Sequence, residues 1–252
     1  MSVPIALQLY SVREDCAKDL LGVIRQVAAM GYDGVEFAGY HGHSAEDIKA
    51  VLDETGLKAA GTHTPWTAFD EENFGDTVAL HKTLDCKFAI IPWIPEEMRN
   101  TSAACLATAG RLTKICEKLR SHGLRTGFHA HGGDMEILDN GQSAWDLFAA
   151  NTPEDFILQY DTANGVSGGA DPVKPISDWP ERNASLHLKE WRGGHGAIIG
   201  EGDVPWQQVF EAAENGGGVE WYVVEHETES AMTPLQSVDA FLKNLKKLLG
   251  RS

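Results

Sequence analysis

Positive charge is scarce in this chain: 21 Lys and Arg stand against 37 Asp and Glu over 252 residues, a formal net charge of −16. A surface this acidic repels phosphate backbones and anionic bilayers, so neither nucleic acid nor a membrane is an expected partner. No run of about 18 apolar residues occurs, which excludes an expected spanning helix. The amino-terminal MSVPIALQLYSVRED lacks a basic n-region and turns polar too early for a secretory signal. Only four cysteines are present (Cys16, Cys86, Cys105 and Cys116), and none form a CxxC pair. They fall in apolar or helix-like stretches, so buried reduced thiols in a cytoplasmic setting are expected. The acidic residues are dispersed rather than gathered in a tail, and 42% of positions are hydrophobic. Such a chain fills a core instead of staying disordered.

What is present is an alternation. Eight β-rich runs recur: IALQLYS (5–11), GVEFA (34–38), KAAGTHT (58–64), FAIIPW (88–93), RTGFHAH (125–131), ILQYD (157–161), SLHLKE (185–190) and YVVEHE (222–227). Amphipathic segments separate them, such as DLLGVIRQVAAMG, with Leu20, Val23, Ile24, Val27 and Ala28 at helical spacing. In SAEDIKAVLDETG, Ser44 is placed to cap the first turn, with Asp47 three residues on, and Gly56 to end the last. The closing LQSVDAFLKNLKKLLG carries lysines in its final turns, complementing the helix dipole. Eight βα units in about 250 residues predict an α/β chain folded as a single (β/α)8 barrel over 1–252. A doubly wound open sheet is the alternative, but it would carry a glycine-rich phosphate turn after its first strand, and YSVREDC has no glycine. The patches GVSGGADP, RGGHGAIIGEGDVP and ENGGGVEW read as loops between units, not as domain linkers.

Barrel chemistry sits at the carboxyl ends of the strands, and there this sequence places ionisable or aromatic residues. Glu36, His63, Trp93, His129 with His131, Asp161, His187 with Lys189, and Glu225 with Glu227 close the second to eighth runs. They recur at roughly one βα unit, so distant residues converge on one mouth. Alternation along a strand puts the members of each pair on one face. One strand-end carboxylate could simply cap the following helix. Asp161, His187 and Glu225, from three consecutive runs, form a donor set suited to Mn, Mg, Co or Zn, with Mn or Mg favoured by the hard oxygens. A metal there would polarise a carbonyl and stabilise enediolate charge.

The stretches LQLYSVRED, GYDGVEFAGY, GTHTP, GFHAHGGDM, LQYDTANGVSGGADPV, LHLKEW, GEGDVPW and WYVVEHE, in this order, resemble the xylose-isomerase-like sugar phosphate isomerase/epimerase superfamily over nearly the whole chain. The resemblance implies a TIM barrel holding a divalent metal through the last four strands. Asp161, His187 and Glu225 match three of its ligands. Many members carry a glutamate at the position matching His129, which makes His129 the expected fourth ligand and a departure from the pattern. Two reactions follow from the resemblance. One is isomerisation or epimerisation of a sugar or keto-sugar, with Glu225 and His129 as the catalytic pair. The other is elimination from a keto-sugar, inosose or 3-keto-glycoside, with Glu225 as sole base. Glu36, His63, Lys189, Trp93 and His131 are expected to bind substrate, although Glu36 with His63 could equally form a structural pair, and Lys189 a salt bridge to Glu190 or Glu201. Trp66 and Trp191 are further stacking candidates. Expected partners are a small carbohydrate and, as an open alternative, further copies of the chain.

Overall fold

The computed structural model describes residues 2–216, 218–227 and 231–251. Eight parallel strands form one sheet: β1 (Ile5–Gln8), β2 (Gly34–Phe37), β3 (Lys58–His63), β4 (Phe88–Ile91), β5 (Arg125–His129), β6 (Ile157–Gln159), β7 (Ser185–Leu188) and β10 (Trp221–Val224). Their order is β6-β5-β4-β3-β2-β1-β10-β7. The two end strands meet through an isolated parallel bridge, Asp161 to His187. The bridge's bond from His187 N to Tyr160 O is 2.9 Å, and one further backbone bond, Leu158 N to Arg182 O at 2.8 Å, lies beside it. The result is a (β/α)8 barrel.

Strand alternation sorts the residues. Leu7, Val35, Phe37, Phe128, Leu158, Leu186, Leu188, Tyr222 and Val224 join the core shared with the helices. Phe88, Ile90, Ile157 and Ala184, and separately Ala6, Ala60 and Val223, fill the lower interior. One alternation further along the parallel strands, the interior turns polar with Gln8, Glu36, Gln159, His187 and Glu225, all buried. A register shift after Val35 pairs Glu36 with Gly61. A Cβ at Gly61 would lie 2.6 Å from Glu36 Oε1. Glycine is therefore required beside that carboxylate.

The outer helices are α1 (Arg13–Met30), α2 (Ala45–Thr55), α3 (Glu71–Thr83), α4 (Ser102–Arg120), α5 (Ala144–Asn151), α6 (Thr162–Ser167), α7 (Lys174–Asp178), α8 (Trp206–Gly216) and α9 (Pro234–Leu248). The expected caps of α2 form: Ser44 Oγ accepts from Asp47 N, and Gly56 stops the helix at φ 78°. α1 starts earlier than its apolar periodicity predicts. Asp19 breaks it at φ −158°, accepting from Gly22 N as a cap would. All four cysteines are free and buried. Among the described residues no helix is long and apolar enough to cross a membrane.

The segment after β7, read from sequence as a loop, instead holds a small antiparallel hairpin, β8 (Glu190–Arg192) with β9 (His195–Ala197). A buried carboxylate organises it. Glu190 accepts from Trp191 N (3.0 Å), Gly200 N (2.8 Å), Val204 N (3.2 Å) and Trp206 Nε1 (2.5 Å). Four donors on one buried acceptor satisfy its charge without a cation.

Candidate metal centre and its pocket

The ends of β5, β6, β7 and β10 bring His129, Asp161, His187 and Glu225 together. One donor atom from each lies within 4.8 Å of all the others, and all four side chains are buried. Asp161 caps α6 with one oxygen, accepting from Asn164 N at 2.7 Å. Its other oxygen, Oδ2, is buried without a hydrogen bond and faces His187 Nδ1 at 3.9 Å. A buried bare carboxylate oxygen is costly unless a cation or donor meets it. The orphaned oxygen, the short mutual separations and the mixed N/O donor set together fit a divalent metal ion.

A hydrogen-bonded layer supports this cluster. His187 Nδ1 lies 2.9 Å from Glu225 Oε2, and its Nε2 lies 2.7 Å from Glu36 Oε2. Glu36 also accepts from Gln8 Nε2 (2.7 Å) and Gln159 Nε2 (2.8 Å). Gln159 Oε1 meets His129 Nδ1 at 3.0 Å and His63 Nε2 at 2.9 Å. On the outer side, Lys189 Nζ donates to Glu225 Oε1 (2.9 Å) and Glu227 Oε1 (2.7 Å).

The charges follow from these contacts. Burial disfavours a charged His187, but Glu36 and Glu225 outweigh it and hold the imidazolium up to about 10. Burial raises Glu225, yet Lys189 and His187 overcome this and keep its carboxyl well below the usual range. Glu36 is likewise lowered against burial by His63 and His187. Asp161, chiefly through burial and with only partial relief from Lys189, is pushed up to about 6. Burial, reinforced by the neighbouring imidazoles, drives His129 well below its ordinary value. Burial also takes His131 down to about 4, leaving both imidazoles neutral at pH 7.

A cavity of about 580 Å³ opens over the cluster, lined by His63, His129, His131, Glu225 and Glu227, with Tyr10 and Trp93 among its further walls. Trp93 is 54% exposed and stands at this wall. Trp66 is buried beneath Arg111, whose guanidinium lies 4.2 Å from its ring centroid, and it does not reach the cavity. The sequence left alternatives open at Glu36 and Lys189, and the structure decides between them. Glu36, expected either to hold a substrate hydroxyl or to pair with His63, does not line the cavity: it is 0% exposed, bound to Gln8, Gln159 and His187, and lies 3.3 Å from His63 Nε2, as the structural alternative had it. Lys189 turns inward, as alternation predicts, and pairs with Glu225 and Glu227; the alternative salt bridge to Glu190 or Glu201 does not form, because Glu190 is taken up by the hairpin. Sequence reasoning passed over Gln8, Gln159 and Asn164. Gln8 and Gln159 are buried polar residues inside apolar strand runs, and that position was the available signal.

Residues 24–248 match the xylose isomerase-like TIM barrel family. The chain belongs to that family. It is 21% identical over 194 residues to an inosose dehydratase of Geobacillus kaustophilus, a stretch covering 68% of this chain and 61% of that protein. The chain thus spans about three fifths of the length of that curated relative. Among solved structures, a sugar phosphate isomerase/epimerase from Parabacteroides distasonis superposes with a TM-score of 0.85 at 23% identity, covering 98% of both chains. The IOLI protein, solved with a zinc atom bound, superposes at 0.77 with 12% identity, again over 98% of each chain. At these identities the superpositions establish the fold.

Proposed function

We propose that the protein is a divalent-metal-dependent isomerase or epimerase of a sugar or keto-sugar, acting by removal of a proton from the carbon beside a carbonyl. The observation that carries this reading is the bare Oδ2 of Asp161 among His129, His187 and Glu225 under an open cavity. Asp161 and Glu225 would hold the ion through oxygen, and His129 and His187 through nitrogen. Manganese or magnesium suits the carboxylates, while zinc or cobalt also accepts this set. A cation held there would supply Lewis-acid polarisation of a substrate carbonyl. Glu225, on the cavity wall, takes the proton. Lys189 keeps that carboxylate ionised and oriented. His129 and His131, neutral and with ring centroids 4.9 Å apart, stand at the end of a different strand and, having no acidic proton of their own to give, orient on the other face the water that returns one. His63 and Trp93 meet hydroxyls and the apolar face of the sugar.

Elimination is the second reading, and one observation favours it. The carboxylates lining the cavity, Glu225 and Glu227, both follow β10 and so serve one face of a substrate. A single-base reaction on an inosose or other keto-sugar needs no more, and the likeness to an inosose dehydratase points the same way.

The test is deuterium exchange at the α-carbon of candidate keto-sugars, followed by NMR with metal-loaded protein. Glu225→Gln keeps the side-chain shape and one oxygen donor, so metal is at least partly retained while exchange falls by about 10²–10⁴. Near-wild-type exchange with metal bound would remove Glu225 as the base. In an epimerase, His129→Gln blocks product yet leaves exchange; in a lyase it slows loss of the β-group without uncoupling exchange.

A further inference from the structure

The metal reading leaves Glu36 unexplained. It is a carboxylate on β2, away from the cavity, yet it binds His187 of the cluster directly and reaches His129 through Gln159. We propose that Glu36 is a positioning residue that determines which nitrogens of His187 and His129 face the metal; this rests on the metal reading above.

An ionised carboxylate only accepts hydrogen bonds. His187 Nε2, 2.7 Å from Glu36 Oε2, must therefore carry the hydrogen. The opposite ring nitrogen, Nδ1, is thereby turned to Asp161 and Glu225, 3.9 and 2.9 Å away. The hold on His129 is indirect. Gln159 donates through Nε2 to Glu36 Oε1 (2.8 Å) and to Ser185 Oγ (2.7 Å). With the amide nitrogen so engaged, Oε1 must be the atom facing His129 Nδ1 at 3.0 Å. His129 then carries its hydrogen on Nδ1 and presents a bare Nε2, which lies 3.4 Å from Asn164 Nδ2. A second amide fixes Glu36 itself. Gln8 accepts from Tyr10 N through Oε1 (3.1 Å) and so donates to Glu36 through Nε2 (2.7 Å). Gly61 closes the cage, since any Cβ there would strike the Glu36 carboxylate. One side chain that supplies no donor atom to the cluster therefore presets two histidines arriving on β5 and β7. Outer partners of this kind typically change metal affinity by 10–100-fold.

The experiment strips the protein with a chelator and titrates it with cobalt(II), reading visible absorption and competition with a chromogenic chelator. Glu36→Gln preserves shape but replaces an acceptor-only group with one that must donate, against neighbours that are themselves donors. The expected result is an affinity loss of about 10–100-fold and an altered cobalt spectrum, with far-UV circular dichroism unchanged. Gln159→Met, which releases His129 but leaves the Glu36–His187 contact, should lose about tenfold, and it decides the matter should Glu36→Gln fail to fold. Long-range 1H–15N spectra of the metal-free wild type supply a readout that needs no variant: His129 should be the Nδ1–H tautomer. A wild type that binds cobalt while both variants bind equally well, or an Nε2–H tautomer at His129, overturns the role of Glu36 and leaves the metal reading standing. A wild type that binds no divalent cation overturns both.

Discussion

Raising the pH should weaken the metal-free protein and at the same time tighten its hold on a divalent cation, both through one imidazole. His187 titrates at about 10 in the fold against an ordinary 6.5. Its folded value is raised, so its contribution to stability is complete below about pH 6.5 and is lost progressively as the pH climbs towards 10. Within that window the loss reaches about 1.4 kcal/mol per pH unit, and sums to about 2.3 kcal/mol between pH 6.5 and 8.5. Asp161, raised to about 6, acts lower down, between about pH 4 and 6, where its ionisation also costs stability as pH rises. A nitrogen that ligates a metal must be free of its proton. Loading therefore displaces about one proton at pH 7.5, and apparent affinity gains up to about tenfold per pH unit. At a fixed excess of manganese the stabilisation should grow by up to about 2.7 kcal/mol from pH 6.5 to 8.5. For a chain of this length that is roughly 5–10 °C of additional Tm shift. Thermal melts with and without manganese at pH 6.5, 7.5 and 8.5 measure it, and calorimetry in two buffers of different ionisation enthalpy counts the protons. A metal-induced shift that stays flat or shrinks with pH, or binding without proton release, would refute the reasoning.

Three further outcomes are expected. Glu190→Leu leaves Gly200 N, Val204 N and Trp206 Nε1 without their buried acceptor and should cost about 3–5 kcal/mol in urea unfolding; a cost below about 1 kcal/mol would mean that the hairpin holds without it. Gly127→Ala places a Cβ 2.2 Å from the backbone oxygen of Ile157 and should destabilise by at least about 1–3 kcal/mol, whereas an unchanged melt would show that β5 and β6 separate freely. Trp93→Ala, at a half-exposed position on the cavity wall, should leave stability within about 0.5 kcal/mol while raising KM for the sugar by about 2–10-fold; an unchanged KM would take this ring out of the binding surface.

Much of the barrel is readable in the chain because its signals are local. Apolar periodicity marks the buried face of α1, terminal lysines mark the end of α9, Ser44 and Gly56 punctuate α2, and alternation predicts that His187 and Lys189 turn the same way. The convergence of Asp161, His187 and Glu225 follows from topology once eight parallel strands are accepted. The supporting layer is less legible for a physical reason. Glutamine has no charge to draw attention, and Gln8 and Gln159 acquire meaning only when β1, β2 and β6 lie side by side. Glu36 shows the same limit from the other direction: its charge is conspicuous, but its partners lie 28, 123 and 151 residues away, too remote for local pattern to choose between substrate and scaffold. The hairpin after β7 escaped because its organising acceptor, Glu190, is buried against three backbone amides and the Trp206 indole, which come together only in the fold.

The closure of the barrel between β6 and β7 has a bearing on how the molecule breathes. Among the described residues seven neighbouring strand pairs share ladders, but this last seam carries the bridge from Asp161 to His187, one further backbone bond from Leu158 N to Arg182 O, and the Thr162 hydroxyl bonded to the Lys189 backbone. It is the point where the cylinder would part first, and the amides of Leu158 and His187 should exchange with solvent sooner than those of β1 or β2. The residues on either side of the seam are also two of the four that converge on the candidate metal. An ion gripped by both would act as a rivet across the split. Catalytic readiness and mechanical integrity would then depend on the same pair of side chains, and slow amide exchange along the seam would report that the site is charged with its cation.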